Sequence, residues 1–110
     1  MGFFKKKQAR DMYDLRPDSE LRAEKDSQKT LSDSRLEAYA NELVDIYERD
    51  GGDKNMDFET NLRPIGEAIN DKEKMVLVAY RAEFIARAKG SGLVIRHLEY
   101  AWDGIAGWMH

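Results

Sequence analysis

Residues 71–89 read DKEKMVLVAYRAEFIARAK, and the class of the fold turns on them. Taken alone, MVLVAY at 75–80 would serve as a buried strand. The continuation decides otherwise. Met75, Val78, Ala82 and Ile85 recur at spacings of three and four, and Leu77, Tyr80 and Phe84 make a second stripe of the same period. Glu83 and Arg87 have the spacing of a helical ion pair. Asn70 with Glu73 predicts a cap at the start, and Gly90 marks the stop. A helix apolar on most of its circumference is a central one, with neighbours on more than one side.

Working upstream, PIGEAIN at 64–70 reads as a short helix with Pro64 in its first turn, and DKNMDFETNLR at 53–63 as a loop. Before that loop, Ser34 and Glu37 form a capping box, and Leu36, Tyr39, Ala40, Leu43, Ile46 and Tyr47 make one apolar stripe. Glu42, Asp45 and Glu48 fall on the other side as an acidic outer face, and Gly51-Gly52 ends the helix.

Downstream, a last helix runs from about Ser91. Val94, Leu98, Ala101, Ile105 and Trp108 are spaced four, three, four and three apart, flanked by Ile95 and Trp102. Gly104 and Gly107 each cost a helix about 1 kcal/mol relative to Ala, so regular helix should end near Asp103. Trp102 is then a core residue, and Trp108 folds back as a lid. The competing reading makes Trp102, Ile105 and Trp108 a partner-docking cluster.

The sum is an all-α fold: a small bundle of three longer helices and one short one over residues 32–110. Residues 1–31 are expected to be a flexible, disordered charged tail with at most a fleeting helix after Pro17. Their apolar residues are sparse and aperiodic, too few to offset roughly 1–2 kcal/mol of backbone entropy per ordered residue. The tail carries 8 basic and 6 acidic side chains, and residues 32–110 carry 10 and 15, so the domain is the acidic part. That balance disfavours polyanions.

Among 110 residues there is no cysteine, which excludes disulfides and thiolate metal sites and fits a reducing, cytoplasmic, bacterial setting. No apolar run is long enough to cross a bilayer. His97 and His110 lack any zinc-ligand spacing. Asp53, Asn55 and Asp57 occupy the first, third and fifth places of a calcium loop, but Phe58 and Pro64 stand where its glycine and bidentate glutamate belong. No serine lies in a nucleophile elbow, and GSG at 90–92 lacks the lysine and strand of a phosphate loop. The expectation is therefore no catalytic residue, metal or cofactor, and a non-catalytic adaptor that binds an unknown protein partner or itself. The alternative is a nucleic-acid-associated factor using Arg81, Arg87, Lys89 and Arg96 around a helix-turn-helix-like hairpin. Against it, Glu99 and Asp103 on the second helix would repel phosphates. Phe3, Phe4, Lys5, Lys6 and Lys7 offer a weak membrane contact, too short for stable anchoring.

Overall fold

In the computed structural model residues 17–49 and 58–108 are described, and among them there are five helices and no strand. They are α1 (Asp18–Asp26), α2 (Ser34–Arg49), α3 (Phe58–Ile69), α4 (Lys72–Ala88) and α5 (Val94–Ala101). The fold is all-α, with α4 at its centre: every other helix packs on it. That is the position expected of a helix with two apolar stripes. Met75, Val78 and Ala82 are fully buried, while the second stripe is only partly covered, with Tyr80 half-buried and Phe84 exposed.

Four departures from the sequence reading have physical causes. First, a helix lies within residues 1–31, where at most a fleeting one is expected. The segment after Pro17 is a helix, α1, packed on α4 with Ala23 buried in the core. It is also held from across the bundle: Arg81 Nη1 donates to the Ser27 carbonyl at 2.8 Å, and the Glu37 carboxylate accepts from the Leu31 amide at 2.9 Å. Residues 1–16 of the expected tail lie outside the described residues, as do Gly51-Gly52 and Asp53, Asn55 and Asp57 of the loop tested for calcium.

Second, α3 starts at Phe58, so Pro64 sits inside it rather than in its first turn. A proline there removes the amide that would bond the Thr60 carbonyl. Thr60 and Pro64 are both exposed, so water can take the carbonyl. Third, both helix caps lie one residue from the expected position. Asp33 Oδ1 accepts from the Arg35 and Leu36 amides at 2.9 and 3.4 Å, and Asp71 Oδ1 accepts from Lys74 N at 3.1 Å. Asn70 instead turns the chain with a φ of 45°. Fourth, α5 ends at Ala101, two residues before Asp103. The turn beyond it uses Gly104 and Gly107 at φ 88° and 82°.

That turn brings both tryptophans into the core. Trp102 is fully buried between α3 and α5, and its Nε1 donates to the Leu62 carbonyl at 2.9 Å. Gly66 makes room for it: a Cβ there would lie 2.6–2.9 Å from three indole atoms. Arg63 Nη1 donates to the Ala101 and Asp103 carbonyls at 3.0 Å each, which satisfies the acceptors left open at the end of α5. Trp108 folds back edge-on against Trp102, with ring centroids 5.3 Å apart, and is 8% exposed. Its Nε1 is buried without an acceptor, so the outer side chain is held by packing alone.

Candidate interaction surface

α1 and α5 both lie on α4 but are not a packed pair. Between them the face of α4 is left as an open trough. One hollow, about 650 Å³, is floored by Tyr80, Phe84 and Arg87 and walled by Glu24 of α1 and by Ile95 and Glu99 of α5. A second, about 250 Å³, shares Tyr80, Ile95 and Glu99 and continues to Lys72, Val76, Glu20 and Trp108. Phe84 is 39% exposed, with the Arg81 guanidinium 5.8 Å from its ring centre.

The floor is fixed by Glu83. Its side chain is 7% exposed, yet its charge is well supported. Oε2 accepts from Arg87 Nε at 2.7 Å and from Leu93 N at 3.1 Å, and Oε1 accepts from Ile95 N at 3.1 Å. The carboxylate therefore caps α5 from α4, and holds Leu93 in a left-handed conformation at φ 69° that a branched residue rarely adopts. Burial alone would raise its pKa. The Ile95 and Leu93 amides and the Arg87 guanidinium outweigh burial and hold it below the ordinary value of 4.5. From the sequence, Glu83 looked like half of a surface ion pair; its main partners are backbone amides ten and twelve residues on.

A second fixed carboxylate stands on the far side of Arg81. Arg81 Nε donates to Glu37 Oε1 at 3.0 Å and Nη2 to Oε2 at 3.1 Å, a forked pair with side chains only 11% and 18% exposed. Burial pushes the Glu37 carboxyl up, but Arg81 and the Leu31 amide bring it below 4.5.

The residues marked out by sequence fall into three groups. Trp102, Ile105 and Trp108 are buried at 0%, 6% and 8%, so the fold uses them as core; Trp108 alone also borders the trough. Of the four cations, Arg81 is tied to Glu37, Arg87 to Glu83, and Lys89 Nζ lies 3.6 Å from Glu48, while Arg96 is exposed. Three of the four cations are thus paired with carboxylates, Arg81 and Lys89 with those of α2 and Arg87 with one on α4 itself. Phe3, Phe4, Lys5, Lys6 and Lys7 lie outside the described residues. His97 is half-buried against Tyr47, ring centres 5.4 Å apart, and the Tyr47 hydroxyl donates to the Gly92 carbonyl at 2.8 Å. Among the described residues no three metal-ligating side chains cluster, and no helix is long and apolar enough to cross a membrane.

The trough itself escaped the sequence reading. Its signal was Tyr80 and Phe84 of the second stripe, which read as core because nothing local reveals that α1 and α5 stand apart. Compared with known proteins, the chain matches no family model, no curated protein and no solved structure.

Proposed function

We propose that this chain is a small non-catalytic helical interaction module whose protein partner docks on the α4 trough. The observation that carries the reading is Phe84, a large aromatic left 39% exposed beside half-buried Tyr80 and Ile95, in a fold that buries both tryptophans. Aromatics grouped in a concave surface and ringed by polar side chains are the usual anchors of protein interfaces. The carboxylates nearby support binding over catalysis. A general acid needs a raised pKa, and Glu83 is held ionised, with its oxygens committed to two amides and a guanidinium. A protein partner is favoured over nucleic acid because Arg81, Arg87 and Lys89 each already face a carboxylate. The absence of cysteine supports a reducing, cytoplasmic setting.

The test is a photo-crosslinking side chain placed at Phe84, or at Asp45 on the exposed face of α2, in the full chain within its native cells. We expect a discrete adduct from position 84 and none from 45. Equal labelling at both positions, or none at 84, would sink the reading; an adduct with a second copy of the chain would make the partner itself.

A further inference from the structure

We infer that the trough receives a cationic amphipathic helix, lying lengthwise over α4 between α1 and α5; this rests on the reading of that face as an interaction surface. The floor is a single ridge of α4. Lys72, Val76, Tyr80, Phe84 and Arg87 follow one another at helical spacing and all line the two connected hollows. From Lys72 to Arg87 the ridge is about 22 Å long at 1.5 Å per residue, the length of four turns of a second helix. A ridge of this kind accepts another helix by interdigitation of side chains. An extended strand would find nothing to pair with, because no sheet edge exists among the described residues and the backbone around the trough is bonded within helices.

The charge of the occupant follows from the walls. Glu20 stands on the α1 side and Glu99 on the α5 side, while Lys72 is confined to one end. At the other end Arg87 is neutralised by Glu83. The aromatic floor therefore lies between two acidic rims. An occupant with apolar residues at every third or fourth position, and Lys or Arg flanking them, matches both the floor and the rims. An acidic helix, or a nucleic acid, would set like charges against both walls.

The direct experiment titrates the full chain into two fluorescein-labelled peptides of about sixteen residues, enough for the four turns available. One is built of Leu at helical spacing with Lys elsewhere, and the other has Glu in place of every Lys. Anisotropy should show saturable binding of the Lys peptide, at least about tenfold tighter than the Glu peptide and weaker as salt rises. Phe84→Ser and Glu99→Lys, both at exposed positions, should each weaken it about tenfold while lowering the melting temperature by no more than a few degrees. Glu42→Lys with Asp45→Lys, at exposed positions of α2 outside the trough lining, should change it little. Were those last substitutions as damaging as Glu99→Lys, the peptide would be reading overall charge and the inference would fail. It would fail equally if neither peptide bound. A Glu peptide that binds at least as tightly and is lost on Phe84→Ser would overturn the cationic occupant yet leave the docking face standing. Crosslinking at position 84 judges that face independently.

Discussion

The two ends of the aromatic inventory are treated differently. Around Trp102 every feature closes the structure: Gly66 gives up its side chain to let the indole in, Leu62 accepts its N–H, Arg63 ties off the end of α5, and Trp108 lies across the top. Around Phe84 the packing stops short, and α1 and α5 flank the α4 face without meeting over it. Both clusters arise from stripes of the same helical period. What separates them is whether a neighbouring element covers the stripe, which is a property of the assembled bundle and not of the stripe. The lesson is that apolar periodicity identifies a face to be covered and leaves open whether the chain or a partner covers it.

Substitutions at the closed end should show the largest effects. Trp102→Ala removes a fully buried indole and its hydrogen bond, and is expected to cost roughly 3–5 kcal/mol, enough to unfold a domain this small. Urea denaturation of the purified chain measures it; a loss below about 1 kcal/mol would mean that the site is far less tightly packed than described. Gly66→Ala comes next. The added methyl would press on an indole with nowhere to go, and we expect about 3 kcal/mol, the upper part of the usual range for overpacking. In an exposed helix the same change would be mildly stabilising, so the sign alone is diagnostic.

Glu83 joins the two regions, since it fixes both the floor of the trough and the start of α5. Glu83→Gln keeps the shape, loses the charge and one acceptor, and should cost about 1–2 kcal/mol at neutral pH. The pH dependence has a definite sign. Glu83 and Glu37 both sit below 4.5 in the folded chain, so their stabilisation is complete above that value. It is lost as pH falls through their folded values. Denaturant midpoints should therefore drop as the solution is acidified below 4.5, and less steeply in Glu83→Gln. Identical acid profiles for the two proteins would remove Glu83 from this role.

Much of the closed end was legible in the sequence. The stripes of α2 and α4 carried their own period, and the spacing from Val94 to Trp108 placed Trp102 on the buried face. The breaks at Gly104 and Gly107 foretold the turn that returns Trp108. What escaped depended on distant partners. α1 has a single buried apolar residue, Ala23, and owes its place to α4 and to an anchor between Arg81 and Ser27, 54 residues apart. Pro64 argued locally for a helix start; an exposed carbonyl at Thr60 allows the helix to run through it. Glu83 advertised Arg87 four residues away, while the amides of Leu93 and Ile95 carry no sequence signature. The trough was illegible for the same reason, being a gap between elements.

The claim that the fold does not need the trough's aromatic surface is tested most directly by the unfolding free energy of Phe84→Ser. Serine and phenylalanine have similar helix propensity, so the difference reports packing. We expect a change within about 1 kcal/mol of wild type, well short of a core substitution, together with about tenfold weaker binding of the Lys peptide. A loss of about 3 kcal/mol or more, the mark of a core phenylalanine, would show that the face is already covered by the chain itself and contradict its assignment as a docking surface.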